Sequence, residues 1–209
     1  MDRYTDGSIQ VYLDRLASGS PEPGGGSVSA LVGALGAALV TMVTDLTLGR
    51  EKFVSVEAEM NDLRGRAEGL RADLTDLVTL DAEAYAAVAA AMKLPKETEA
   101  EKQKREQTLQ VALKGAAEVP LRVAEAALEV ARLSEPAAKM GNPHAVSDAG
   151  VAVMLADAAA QSAALNVRIN LAWISDEGFN RASWTRVEAI LQETAGLRES
   201  VMALTYSKI

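Results

Sequence analysis

The sequence predicts an all-α fold, a single-domain antiparallel bundle of long helices that dimerises. Three observations carry that prediction. Alanine and leucine are abundant, aromatic residues make up only 4%, and proline occurs at six positions, a balance that favours helices over sheets. Met60, Leu63, Ala67, Leu70, Leu74, Leu77, Asp81, Ala84, Val88 and Ala91 follow one another at alternating spacings of three and four. Such a stripe is the face a helix buries against its partners. Finally, Val28 to Thr44 carries no charge, and small residues recur four apart at Ser29, Gly33 and Ala37 and again at Ala30, Ala34 and Ala38. That spacing lets helices approach closely, so this run is expected to be the central helix of the bundle or of its dimer interface. It approaches the length of a membrane span, but its small polar residues and the early stop at Asp45 favour a soluble protein without a membrane partner.

A chain of 209 residues fills one domain, and no internal repeat or low-complexity linker divides it. The net charge of −8 argues against nucleic acid, whose phosphates demand a basic surface, and would attract a cationic substrate. The absence of cysteine excludes a disulfide framework, a thiolate nucleophile and cysteine-ligated zinc. The single histidine, His144, excludes a multi-histidine metal site within one subunit, so no metal is expected. The N-terminal Met1-Asp2-Arg3-Tyr4 lacks the apolar core of a signal peptide, which predicts a cytoplasmic protein.

In chain order, Ser8 to Leu16 reads as a short amphipathic helix with Ile9, Leu13 and Leu16 on one side, ended by Gly19. The turn Pro21-Glu22-Pro23-Gly24-Gly25-Gly26-Ser27 follows. Two prolines stiffen it, and three glycines permit close approach of a ligand or a neighbouring helix. Ser27 is placed to cap the central helix, whose free N–H groups would then face an anionic group. No Gly-Lys-Ser/Thr follows, so this is not a nucleotide-binding P-loop. A long helix is expected from about Val56 to Lys93, broken by Pro95. Thr98 and Glu101 then form a capping box for the next helix, whose charged start, Glu97 to Glu106, is a solvated face. Pro120 is expected to kink or restart that helix, and Ser134-Glu135-Pro136 to begin a short turn ending at Gly141. Ser147 is placed to cap a helix reaching about Ile174, with Asp148 favouring its dipole. Asn180, Trp184, Val187, Ile190, Leu191, Val201 and Leu204 mark a last amphipathic helix.

Asp81 stands in the long stripe where an apolar side chain is expected. Burying a carboxylate costs several kcal/mol unless it is paired or protonated, and desolvation raises its pKa into the range of an acid or base working near neutrality. Tyr85 lies one turn later with a hydroxyl able to reach the same space. The structural alternative is a hydrogen bond to a neighbouring helix. Asn166 and Asn170 stand one turn apart in an otherwise apolar segment and suggest an amide-lined patch, bonding across helices or reading a ligand.

Together, the Pro21–Ser27 turn, the Asp81/Tyr85 pair before Lys93-Leu94-Pro95, Gly141-Asn142-Pro143 with Ser147-Asp148, and Asn166-Val167-x-Ile169-Asn170 resemble the cyclodeaminase/cyclohydrolase family acting on folates. The resemblance covers nearly the whole chain in the same order. It implies an all-α domain that forms a homodimer, with a folate site near the subunit interface and no cofactor beyond tetrahydrofolate as carrier of the one-carbon unit. It carries the family's general acid over to Asp81, with Tyr85 beside it, and gives His144 no role.

The implied chemistry is hydrolysis of the cationic amidinium of 5,10-methenyltetrahydrofolate to 10-formyltetrahydrofolate, which one buried carboxyl can assist. Asn142, Asn166 and Asn170 are then candidates for reading the pterin. The helix terminus at Gly24, Gly25, Gly26 and Ser27, or Lys139, is the candidate for the glutamate carboxylates, single or in a polyglutamate tail. Ser147 and Asp148 complete the candidate substrate-binding set. The absence of an attached formiminotransferase domain favours the cyclohydrolase. Formiminotetrahydrofolate cyclodeaminase, releasing ammonia, is the alternative, and a non-catalytic folate-binding helical dimer the further one.

Overall fold

The computed structural model describes residues 4–209; Met1 to Arg3, part of the stretch read for a signal peptide, lie outside the described residues. Six α-helices follow one another: α1 (Ile9–Leu16), α2 (Gly25–Asp45), α3 (Glu57–Met92), α4 (Glu99–Met140), α5 (Val146–Leu171) and α6 (Glu177–Lys208). Short 3₁₀ turns at Glu51–Val56 and Pro143–Ala145 precede α3 and α5. No strand occurs among the described residues, as the composition predicts.

Helix α2 is the axis of the bundle and packs against α3, α4 and α5. Its small residues make this possible. A β-carbon on Gly33 would come within 3.1 Å of the Leu74 side chain, and one on Gly36 within 3.1 Å of the Ala152 carbonyl oxygen and 3.3 Å of Val130. Ala30, Ala37, Val40 and Val43 are fully buried, so one side of the apolar α2 is accounted for by the core, while Leu35 and Met42 are exposed. Asp45 ends the helix as expected, and Gly49 (φ +70°) turns the chain in the left-handed region open to glycine.

Three expectations about helix ends change. The α1 helix is capped by Ser8, but its buried residue is Tyr12, while Ile9 and Leu13 face solvent. The cap of α2 is Gly24, so Ser27 lies inside the first turn, with its hydroxyl donating to the Val78 carbonyl (3.0 Å) instead of capping. The cap of α5 is Ala145, and Ser147 is exposed within the first turn beside Asp148. The capping box at Thr98 and Glu101 is present in full.

The largest correction concerns α4, which runs unbroken for 42 residues through both Pro120 and Pro136. Proline removes the hydrogen bond to the carbonyl four residues earlier, a cost of roughly 3 kcal/mol in a bare helix. Here the orphaned acceptor opposite Pro120 is the Ala116 carbonyl, and Asn170 of α5 donates its side-chain N–H to it at 2.8 Å. Burial of Leu121, Val123, Ala124, Ala127 and Val130 just beyond the proline adds apolar stabilisation that holds the helix together.

Gly141–Asn142–Pro143 forms a closed corner at the far end of α2. The Asn142 backbone N–H donates to Thr47 Oγ1 (2.8 Å), its Nδ2 to the Leu46 carbonyl (3.1 Å), and its Oδ1 accepts from His144 N–H (3.2 Å). Helix α6 is fastened across α4 and α5 by Arg132 to Glu193 (2.7 and 2.8 Å) and Arg198 to the buried Asp157 (2.8 Å).

Candidate active site

The N-terminal end of α2 opens onto a cleft of about 350 Å³. The turn from Pro21 to Gly26 supplies one side, and Asp81, Tyr85, Val88 and Met92 of α3 another. Leu113 and Ala116 of α4, with Asn166, Ile169 and Asn170 of α5 and Trp173 just beyond it, close the remainder. From Asp81 to Met92 the α3 wall runs roughly 16 Å, at a helical rise of about 1.5 Å per residue. The stripe of α3 thus passes from core to cleft at Asp81, because its neighbours Val78 and Ala82 take the buried direction.

Gly26 and Asp81 are the closest pair in the cleft. A β-carbon on Gly26 would overlap the Asp81 carboxylate, so a glycine is required there for this close approach. The Ser27 backbone N–H favours the charged form of the same carboxyl. Burial pushes the Asp81 carboxyl above its ordinary pKa; the Ser27 N–H works against that rise, and the charge of Glu22 adds to it. Beneath this pair, Tyr12 Oη meets Ser27 Oγ at 3.3 Å, and Ser27 Oγ in turn reaches Val78. Burial raises the Tyr12 phenol as well, its hydrogen bond to Ser27 lowers it, and the Asp81 charge raises it. Tyr12 therefore supports the turn that lies against Asp81.

The two asparagines spend their amide N–H groups on the scaffold. Asn166 Nδ2 donates to the Ser162 carbonyl (2.8 Å), and Asn170 Nδ2 to the carbonyls of Ala116 (2.8 Å) and Asn166 (3.0 Å). Their Oδ1 atoms accept nothing among the described residues, and both residues line the cleft, so the site offers two amide acceptors to a ligand's donors. Gly25 lies against the Asn166 amide, where a β-carbon would sit 3.5 Å from Nδ2.

The structure therefore gathers Gly24, Gly25, Gly26, Asp81, Tyr85, Asn166 and Asn170 around one space, with Ser27 directly beneath it. It does not bring Lys139, Asn142, Ser147 or Asp148 there. Those four lie at the opposite end of α2, about 30 Å away for a helix of 21 residues. Lys139 is paired with Glu135 (2.8 Å), and Asn142 is consumed by the corner just described. Glu22, Met92 and Trp173 line the cleft without having been singled out, and Tyr12 supports it from below. The carboxylate locked between two prolines was the legible signal for Glu22. Nothing local marked Trp173, which reads as one more apolar residue of α5. Among the described residues no group of three or more metal-ligating side chains occurs. A hollow between α4 and α6 is crossed by the Arg132–Glu193 and Arg186–Glu125 ion pairs and holds no amide or free carboxyl arranged like those of the cleft.

Residues 8–189 match the family described as formiminotransferase-cyclodeaminase. The chain belongs to that family. A methenyltetrahydrofolate cyclohydrolase of Methylorubrum extorquens is 44% identical over 202 residues, which is 97% of each chain. The formimidoyltransferase-cyclodeaminase of Rattus norvegicus is 38% identical over 188 residues, 90% of this chain but 35% of the rat protein. In three dimensions, the crystal structure of formiminotetrahydrofolate cyclodeaminase from Thermotoga maritima superposes with a TM-score of 0.88 at 33% identity, covering 97% of this chain and 98% of that one. The cyclodeaminase fold is thus present along nearly the full length of the chain.

Proposed function

We propose that the protein hydrolyses 5,10-methenyltetrahydrofolate to 10-formyltetrahydrofolate. The observation that carries this reading is a half-buried carboxyl, Asp81, biased toward its protonated form in a cleft lined by a second carboxylate and by no Lys, Arg or His side chain among the described residues. Such a site favours a cation and can deliver a proton to it. Water adds to the amidinium carbon and loses a proton. The Asp81 carboxyl protonates N5 as the C–N5 bond breaks, and loss of the carbinol O–H proton leaves the formyl group on N10. Asp81 regains one of the protons given up by water, and one proton is released per turnover. Asn166 and Asn170 accept hydrogen bonds from the pterin, and the Tyr85 ring, about half exposed, borders the reacting carbon's side of the cleft.

The cyclohydrolase reading is supported over the cyclodeaminase by identity, 44% with the Methylorubrum cyclohydrolase against 33% with the Thermotoga cyclodeaminase, each matched over nearly its whole length. Disappearance of methenyl absorbance, measured beside ammonia release from formiminotetrahydrofolate, decides between them. Asp81→Asn should abolish turnover while leaving helical content and assembly intact; an active variant removes the role assigned to Asp81.

The protein is further proposed to be a cytoplasmic homodimer that accepts polyglutamylated folate. Exposed apolar stripes support the dimer: Leu35 and Met42 on α2 with Leu46 just past its end, and Val151, Met154, Leu165 and Ile169 on α5, two helices packed on each other. Ile169 also borders the cleft, which supports a site at the edge of that face. Light scattering of the protein and of Leu165→Glu tests this, with the variant expected to be monomeric.

A further inference from the structure

Glu22, the second carboxylate of the cleft, has no step in the mechanism above. It is held between Pro21 and Pro23, whose rings fix the backbone on either side, and it lines the same space as Gly24, Gly25, Gly26 and Asp81. Its Oε2 is shut off from solvent and has no hydrogen-bond partner. An uncompensated buried carboxylate oxygen is costly and calls for a counter-charge. The scaffold does not provide one. Arg15 is committed to the face of the Tyr4 ring, 4.8 Å from its centre, and the Tyr4 hydroxyl is itself buried without a hydrogen-bond partner.

We propose that Glu22 is a specificity-determining residue of this cleft, selecting the positively charged amidinium form of the folate over neutral folates. The proposal rests on the folate reading given above. The bound cation supplies the missing partner for Glu22, and the carboxylate loses that partner when hydrolysis turns the amidinium into a neutral formamide. Glu22 thereby favours substrate over product, and release of the product follows from the reaction itself. Its second effect falls on Asp81, because two carboxylates in one cleft resist ionising together. The groups facing Asp81 are few. Glu22 comes from the turn, Tyr12 from α1 and Tyr85 from α3 itself; the lining residues of α4 and α5, Leu113, Ala116, Asn166, Ile169 and Asn170, and Trp173 just beyond α5, carry no titratable group. Beyond Glu22 stand Tyr4 and Arg15; the Tyr4 phenol is raised by burial and then by the Glu22 charge, and lowered by Arg15.

Binding is measured in the Asp81→Asn background, where turnover does not interfere, using 5,10-methenyltetrahydrofolate as the cation and 5-formyltetrahydrofolate as the neutral analogue. Adding Glu22→Gln should weaken the methenyl compound roughly tenfold, the scale of one close charge pair near a protein surface, and leave the formyl compound unchanged. Glu22→Asp, which keeps the charge, should retain the preference. With Asp81 restored, the carboxyl-carbon resonance of Asp81 in the ligand-free protein should titrate at lower pH in Glu22→Gln than in the wild type. An unchanged preference between the two folates, or an unmoved Asp81 titration, overturns the role of Glu22 and leaves the proposed function standing. A protein that binds neither folate overturns that function and the proposal with it.

Discussion

At its N-terminal end α2 meets a run of glycines, a carboxylate and two asparagines; at its C-terminal end it meets Gly141, Asn142 and Thr47. The ingredients are similar, and in a linear sequence both ends look like ligand sites. They differ in how their hydrogen bonds are spent. At the corner, the Asn142 backbone N–H and both functional atoms of its side chain are satisfied within the fold, and Gly141 is pressed against Val43 and the Ala137 carbonyl. At the cleft, Asn166 and Asn170 keep an acceptor free, Glu22 Oε2 has no partner, and space remains beside Asp81. A polar group left unsatisfied beside a cavity signals chemistry; the same group fully bonded signals architecture.

Breaking the open end should have the largest effect. Gly26→Ala drives a methyl group into the Asp81 carboxyl. A displacement on that scale should cost roughly 10²-fold in kcat for methenyl hydrolysis while far-ultraviolet circular dichroism stays unchanged. At the closed end, Asn142→Ala removes two side-chain hydrogen bonds and strands the Leu46 carbonyl. Thermal or urea unfolding should show a loss of about 1–3 kcal/mol, with KM unaffected in the folded fraction. A raised KM with unaltered stability would instead make Asn142 a ligand residue.

Asn170 belongs to both kinds of region, and a double substitution separates its roles. Asn170→Ala should raise KM by up to about tenfold and also destabilise the fold, because the Ala116 carbonyl loses its donor. Adding Pro120→Ala returns a backbone N–H to that carbonyl. Stability should recover in unfolding curves, whereas KM should not.

The smallest effect concerns stability against pH. The Asp81 carboxyl has its pKa raised by burial, so the folded state holds this proton more tightly than the unfolded chain. Its contribution to stability therefore declines as pH climbs from the ordinary carboxylate value through the raised one. Asp81→Asn should melt above the wild type at neutral pH, and the gap should close at pH values below the ordinary carboxylate range.

The helices were legible because they follow from periodicity and small-residue spacing, which are local properties. Asp81 was legible for the same reason, as one polar residue in an apolar series of α3. Pro120 was misread because its compensation comes from Asn170, 50 positions later in the chain, and no local rule anticipates a donor on another helix. Lys139, Asn142, Ser147 and Asp148 joined the candidate site through their motif, and motifs carry no distance. The length of α2 between the two turns separates them from Asp81. Glu22 went unremarked because the glycines beside it drew attention to the backbone, whereas its significance depends on an oxygen that finds no partner.

Apart from the short turn at Pro21–Gly26 and Trp173 just beyond α5, the groups around the cleft sit on helical rods. One residue inserted near the start of α2 or within α3 ahead of Asp81 would rotate everything downstream by about 100° about the rod, replacing every side chain on the working face at once. Adaptation to a new substrate is therefore confined to exchanging side chains at fixed stations, and lengthening or shortening is tolerated only in the connections between rods.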